Sequence, residues 1–369
     1  MAFDGVTVAA VVKECRELLT GSRIYKIAQP EADELQLTLK TKAGQYHLLL
    51  SANASLPLIY LTGRTKQSPM TAPNFCMLLR KHIQNGRIVD ISQPGLERIM
   101  QIHIEHLNEL GDLCRKKLII EVMGKHSNII FCTEEDMIID SIKHISGMVS
   151  SVREVLPGKP YFIPQPENKE DPVAFMESPL SDEDRKGFFA ALIFQKPAPL
   201  YKALYTSFTG FSPILSQELC FRSSLDSDRS ALSYLQEGIS ASGNSALGNA
   251  AVTALYNEFT ALMRQIFDGN FSPAIVYEGK TPVEFAAVPM RMYSASSTKT
   301  FSSISALLET YYAERNALSR IRQRSADLRK IVQTILERTV KKYDLQLQQI
   351  KDTEKREKYR LYGELLHTY

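Results

Sequence analysis

The sequence predicts an α+β protein with three parts: an antiparallel β-sheet or sandwich domain, a helical module, and one long coiled-coil helix. Three observations carry this reading. Over residues 35–50 and again over 87–142, apolar and polar residues alternate in short runs joined by turns. Beyond a series of prolines between positions 157 and 179, the apolar period becomes helical. Over residues 302–362 there is neither glycine nor proline, and apolar residues recur every three or four positions.

Val8, Val11, Val12, Cys15, Leu18 and Leu19 stand at helical spacing, and Gly21 follows as a stop, so the first element is an amphipathic helix. Leu35, Leu37 and Leu39, the turn Lys42-Ala43-Gly44, and Tyr46, Leu48 and Leu50 predict a hairpin with one buried face. A helix is expected over 74–84, ending at Asn85-Gly86. Strands are expected over 87–92, 96–106, 113–123, 128–132 and 137–142, and their short connections favour antiparallel pairing. Ser181 with Asp184 forms a capping pattern ahead of Phe188, Phe189, Leu192 and Ile193. Helices over 200–205 and 214–220 flank a glycine turn, and another through Leu255, Phe259, Leu262 and Ile266 stops at Gly269. Alternation returns over 272–293.

In the last segment Leu318, Ile321, Ser325, Leu328, Val332 and Ile335 form a seam that slips by one position to Val340, Tyr343, Leu347 and Ile350. Such a helix projects roughly 90 Å. It needs a return helix or a partner to bury its seam, so the chain reads as truncated within the coiled coil. The expected domains are 1–175, 176–270, 271–300 (a β-hairpin segment returning toward the first domain) and 301–369 (the first half of the coiled coil).

A hydrophobic fraction of 44% excludes a largely disordered chain. Lys+Arg 44 against Asp+Glu 41 leaves a net charge of only +3, so a nucleic-acid partner requires a local basic face. The 5 cysteines are scattered, with no C-x-x-C pair, which excludes a zinc knuckle and suits a reducing compartment. The N-terminus carries an acid where a signal peptide has positive charge, and no run reaches the ~18–20 apolar residues of a membrane span. A cytoplasmic protein without a membrane partner is expected.

His103 and His106 resemble a metal pair, but on a strand they point to opposite faces, so no metal is expected. The common nucleotide-binding and hydrolase glycine motifs are absent, and neither a cofactor nor a catalytic residue is expected. Phe208-Thr209-Gly210-Phe211-Ser212-Pro213 is a small-residue turn opening a helix. It resembles the hairpin of helix-hairpin-helix modules, which makes Gly210 and Ser212 candidate phosphate-binding residues.

Two polar islands interrupt the strands: Gly95-Leu96-Glu97-Arg98, and Glu121 to Asn128. Antiparallel pairing of 96–106 with 113–123 brings Arg98 and Glu121 to the same end of the sheet. Glu97, Arg98, Glu121, Gly124, Lys125, His126, Ser127 and Asn128 are then one candidate patch for a single-stranded RNA loop. A guanidinium bonds an exposed base, a carboxylate accepts from a base amine, and Lys125 and His126 hold phosphate.

The chain resembles the NFACT family, also called fibronectin-binding protein A. The likeness is carried by Phe3-Asp4-Gly5, Gly21-Ser22-Arg23-Ile24, Gln29-Pro30-Glu31, Phe75-Cys76-Met77-Leu78-Leu79-Arg80-Lys81-His82, Gly86-Arg87-Ile88, Gly95-Leu96-Glu97-Arg98-Ile99, Met123-Gly124-Lys125-His126-Ser127-Asn128, Leu156-Pro157-Gly158, Gly210-Phe211-Ser212-Pro213 and Lys358-Tyr359-Arg360-Leu361-Tyr362-Gly363. Glu97 stands where the family usually has Asp. The resemblance implies a first domain similar to the N-terminal domain of formamidopyrimidine-DNA glycosylases, then a helix-hairpin-helix module and a coiled coil. It implies binding to a large ribosomal subunit carrying obstructed peptidyl-tRNA, and delivery of alanyl-tRNA for tailing of stalled nascent chains without mRNA.

The chain would then be an elongation-type factor for ribosome quality control and not an enzyme, because the ribosome makes the peptide bond. The patch above would grip the tRNA, and Arg320, Arg324, Arg329, Lys330, Lys341 and Lys342 would contact the ribosome. Two alternatives are a fibronectin-binding adhesin, for which no anchor or repeated motif is present, and a DNA glycosylase, for which the N-terminal proline nucleophile is missing. Fibronectin binding in vitro is compatible with either cellular role.

Overall fold

Asp4 starts the first helix, α1 (Gly5–Leu19), by accepting the Thr7 N–H on its carboxylate at 2.9 Å. A computed structural model describes residues 3–150, 152–164, 168–242 and 250–369, and along 237–242 and 316–327 it describes the backbone alone. The helix buries Val8, Val11, Cys15 and Leu19 and ends where Gly21 takes a left-handed conformation at φ +84°.

Nine strands follow in one antiparallel sheet. They are β1 (Arg23–Glu31), β2 (Glu34–Lys40), β3 (Gln45–Ser51), β4 (Leu58–Thr62), β5 (Arg87–Ser92), β6 (Ile99–Leu107), β7 (Leu113–Glu121), β8 (Asn128–Thr133) and β9 (Ile138–Ser141), in the order β4-β3-β2-β1-β5-β6-β7-β8-β9. The two halves join at β1 and β5, where the Gly21 N–H donates to Ile88 O at 2.8 Å and the Ile88 N–H to Ser22 O at 2.9 Å. The helix α2 (Asn74–Ile83) buries Phe75, Cys76, Leu79 and Ile83. Far along the chain, Lys143 Nζ donates to Ala52 O just past β3 and to Ser127 O just before β8.

The β2–β3 hairpin departs from the expectation of one buried face. Glu34, Gln36 and Thr38 are buried along with Leu35, Leu37 and Leu39. The chain after β4 crosses back over the polar face: Gln36 Nε2 donates to Arg64 O at 2.7 Å, and Lys66 pairs with Glu34 at 2.8 Å. Strand β6 also begins later than the alternation predicts, because Pro94 O accepts the Glu97 N–H and turns the chain there.

The helical part comprises α3 (Pro172–Glu177), α4 (Asp182–Phe194), α5 (Leu200–Ser207), α6 (Pro213–Arg222), α7 (Ala231–Ser242) and α8 (Ala250–Phe267). Its core is aromatic, with Phe208 and Phe259 stacked at 4.7 Å and Phe175 and Phe189 around them. A small sheet of β10 (Ala274–Glu278), β11 (Thr281–Ala286) and β12 (Thr298–Thr300) follows, in the order β11-β10-β12. The fully buried Glu218 carboxylate ties the segment after β11 to α6, accepting from Arg222 Nε at 2.6 Å and from the Arg291 and Met292 amides.

The last helix is α9 (Ile304–Thr368). Two compact units divide the chain, Met1–Tyr311 and Tyr312–Tyr369, so the boundaries expected near 175, 270 and 300 fall inside the first. Ile304, Leu307, Leu308 and Tyr311 are buried, and Ser305 Oγ donates to Glu14 while accepting the Leu61 N–H at 2.9 Å. In the second unit Leu328, Val332, Ile335, Val340, Tyr343 and Ile350 are exposed. Leu318, Ile321 and Ser325 of the expected seam lie outside the described side chains. No helix among the described residues is long and apolar enough to cross a membrane, and no cluster of three or more metal-ligating residues occurs among them.

Candidate functional site

Three distant segments meet where α1 begins. The Ser212 hydroxyl caps α6 and donates to the Asp4 carboxylate at 2.6 Å. The Gly5 N–H donates to Gly210 O at 2.8 Å, and both glycines lie under the carbonyl of Leu96. A Cβ on Gly5 would stand 2.1 Å from that oxygen, and one on Gly210 would stand 2.0 Å from it. Glycine is required at both positions for this approach. Gln93 Nε2 closes the junction by donating to Gly5 O and Glu97 O.

Beside this junction opens a cavity of about 740 Å³. Phe3, Met123 and Phe211 form apolar wall, and Glu97, Arg98, His126, Arg153 and Lys169 bring charge and hydrogen bonding. Neither Arg98 nor Lys169 has a hydrogen-bonded or ion-paired side-chain partner among the described residues. Burial, and then the adjacent Arg98 guanidinium, hold Lys169 below the ordinary lysine range, with Glu97 opposing. Burial pushes the Glu97 carboxyl above its usual range; Arg98 and Lys169 oppose the shift and Asp171 adds to it. Burial likewise raises the Asp4 carboxyl, against the bonds it accepts from Ser212 and Thr7. Two unpartnered cations facing a partly apolar hollow suit an anionic ligand that also carries a flat or apolar part.

The register between β6 and β7 pairs Ile99 with Glu121, and the Val122 N–H donates to Arg98 O at 2.9 Å, so both islands lie at one end of the sheet. The cavity brings together Glu97, Arg98 and His126 with Gly210 and Ser212, joining the sheet-rim patch to the hairpin. Of the other expected residues, Glu121, Gly124, Ser127 and Asn128 are buried and Lys125 is exposed outside the cavity wall.

Glu121 is fully buried, because its cross-strand partner Ile99 belongs to the core with Ile119, Ile130 and Tyr161. Ser127 and Asn128 are buried as well: Ser127 Oγ accepts the Met123 N–H, and Asn128 exchanges hydrogen bonds with the backbone of Lys143. Gly124 supplies the left-handed residue, φ +59°, at the head of this turn. Lys125 is exposed on it, outside the cavity wall. Ser212 spends its hydroxyl on Asp4 and on the Leu215 N–H, while Ser212 and Gly210 both line the cavity.

Arg329, Lys330, Lys341 and Lys342 are exposed on α9, while Arg320 and Arg324 lie outside the described side chains. Asp4, Arg153 and Lys169 are site residues that pattern reading misses. Asp4 had a signal, an acid three positions before Thr7 at a helix start. Lys169 sits in the proline-punctuated connector and Arg153 just ahead of it, where no periodicity marks a facing direction.

A family model described as NFACT N-terminal and middle domains matches residues 4–369. A relative named Rqc2 homolog RqcH from Bacillus subtilis (strain 168) is 32% identical over 368 residues, covering 99% of this chain and 58% of its own length. Its namesake from Streptococcus suis (strain 05ZYH33) is 32% identical over 370 residues, 100% of this chain and 58% of that one. The chain thus spans 58% of the length of these curated relatives.

Among solved structures, the fibrinogen binding protein from Staphylococcus aureus superposes with a TM-score of 0.65 at 25% identity, over 85% of this chain and 99% of that chain. The N-terminal part of the fibronectin/fibrinogen-binding protein from Streptococcus suis gives 0.64 at 28% identity, over 84% and 99%. The chain therefore belongs to the NFACT family, matching its N-terminal and middle domains from residue 4 onward.

Proposed function

We propose that this chain is the N-terminal and middle part of a ribosome quality-control factor that binds tRNA in the cavity beside α1 and α6. The observation that carries the reading is the pair of cations without partners among the described residues, Arg98 and Lys169, in a cavity walled by Phe3, Met123 and Phe211. Phosphodiesters pair with the cations, and an unstacked base of a loop packs on the apolar wall while Glu97 accepts from its amine. The name carried by the relatives supports the pathway.

In this reading the factor brings alanyl-tRNA to an obstructed large subunit, and the ribosome performs peptide-bond formation. The α5–turn–α6 unit acts as a helix-hairpin-helix, and the sheet domain corresponds to that of the formamidopyrimidine-DNA glycosylases. The names of the solved neighbours favour a second reading, in which this surface binds fibrinogen or fibronectin.

The test is a salt titration of tRNA binding by the chain and its Arg98→Ala and Lys125→Ala variants, with fibronectin as a competing ligand. Arg98→Ala should cost about 1–3 kcal/mol and weaken discrimination among tRNAs. Lys125→Ala should weaken all tRNAs alike and lower the salt slope by roughly one. Unchanged affinity and preference in an intact Arg98→Ala protein would remove the cavity as the tRNA site. Displacement of tRNA by fibronectin would favour the second reading.

A further inference from the structure

We propose that Arg153 is a third ligand-contacting cation of the cavity and that the buried Glu121, with Tyr161, is its positioning residue; the proposal rests on the reading that the cavity holds RNA. Glu121 is 0% exposed and holds both partners at once. Its Oε1 accepts the Tyr161 hydroxyl at 2.9 Å, and its Oε2 accepts from Arg153 Nη2. Arg153 Nη1 donates to Phe162 O at 2.8 Å. These bonds use two of the five N–H donors of a guanidinium. The side chain is 12% exposed, and Arg153 lines the cavity that Arg98 and Lys169 share.

A buried ion pair is a weak source of stability, since an apolar pair of similar volume often does as well. What it supplies here is aim. The Arg153 guanidinium is fixed between a carboxylate, a carbonyl and the Tyr161 ring, 5.5 Å from the ring centroid. Glu121 already neutralises its charge, so Arg153 contributes directed hydrogen bonds to a phosphate and little long-range attraction. Arg98 and Lys169, which lack acidic partners in hydrogen-bonding contact among the described residues, supply the attraction. The three cations therefore divide the work, and the division is measurable.

The experiment measures unfractionated tRNA binding by the 369-residue chain across a salt series, with melting temperatures for every variant. Arg153→Gln should weaken binding about tenfold with little change in salt slope. Glu121→Gln adds a net positive charge, yet should weaken binding by about fivefold because Arg153 loses its anchor. In the Arg153→Gln background the Glu121→Gln change should have no further effect on binding. Binding by Glu121→Gln equal to or tighter than the parent would overturn the proposal, as would additive losses in the double variant.

If Glu121→Gln does not fold, Tyr161→Phe gives the same readout, because it removes one bond to Glu121 and keeps the ring. A loss of about twofold supports the positioning role, and no loss refutes it. Arg98→Ala and Lys169→Ala run alongside. If both bind like the parent, the cavity reading has failed; if both weaken while Arg153→Gln does not, only the present inference has.

Discussion

The Asp4 carboxylate accepts the Ser212 hydroxyl at 2.6 Å, joining the first turn of α1 to the first turn of α6 across 208 positions of sequence. The same carboxylate caps α1 through Thr7 and holds the Ser212 hydroxyl that caps α6, so two helix starts are tied through one hydrogen bond. Asp4→Ala removes a cap and leaves the Ser212 hydroxyl buried without its acceptor. Urea titration should record a loss of about 2–4 kcal/mol, and Asp4→Asn, which keeps an acceptor oxygen, a smaller one.

Gly210 combines a left-handed φ of +74° with the approach of Leu96 O, 2.0 Å from where its Cβ would stand. Neither strain can relax without moving the junction. Gly210→Ala should lower stability by more than about 3 kcal/mol. Gly63, which has nothing within 4 Å of its ideal Cβ, is the control, and Gly63→Ala should stay within about 0.5 kcal/mol of the parent. Equal melting of the two variants would show the junction to be loose.

Lys169 has its pKa held below the ordinary lysine range by burial and by Arg98. A bound phosphate opposes both causes and restores the proton, so the complex holds it more tightly than the free chain. Affinity is then fully developed below the free-chain pKa and declines as pH rises through it toward the bound-state value. tRNA binding should weaken as pH rises toward the ordinary lysine range, and Lys169→Arg should flatten that decline because arginine stays charged. Parallel pH profiles for parent and Lys169→Arg would place Lys169 away from the phosphates.

The buried root of α9 dictates where the long helix can be cut. Ending the chain after Ala306 removes Leu307, Leu308 and Tyr311, all buried, together with Glu309, which accepts the Thr62 hydroxyl at 2.8 Å. Ending it after Ala313 keeps them. The shorter protein should melt lower by an amount consistent with losing several core side chains, each worth about 2–5 kcal/mol. The longer one should melt like the parent while losing cosedimentation with large ribosomal subunits, if the basic residues of α9 are an anchor. Undiminished cosedimentation would dismiss that role.

Local signals were enough for α1, α2, the Ser181 cap and the β6–β7 pairing. Spacing of Val8, Val11 and Cys15, the hydroxyl at Ser181 that accepts the Asp184 N–H, and the turn at 108–112 act within a few residues. The strands β1 and β4 carried no such signal: β1 is interrupted by register shifts, and β4 is only 5 residues long. Gly5, Gly95 and Gly210 stood out as motif letters, but their reason, the crowding of Leu96 and Asp171 against them, is tertiary.

The sequence by itself determined the class of the fold, the end of the sheet where Arg98 and Glu121 meet, and the chemical character of the two polar islands. Only the tertiary structure decided which of those side chains line the cavity. A strand dictates alternation but not which face a distant segment will cover. Tyr161 and Arg153 cover the face that Glu121 shares with Ile99, and so bury that carboxylate. Lys143 does the same for the turn holding Ser127 and Asn128, leaving Lys125 and His126 outside. The hairpin at Gly210 came to the same cavity because Asp4 reached Ser212. Contacts across tens to hundreds of residues make these choices, and no local period encodes them.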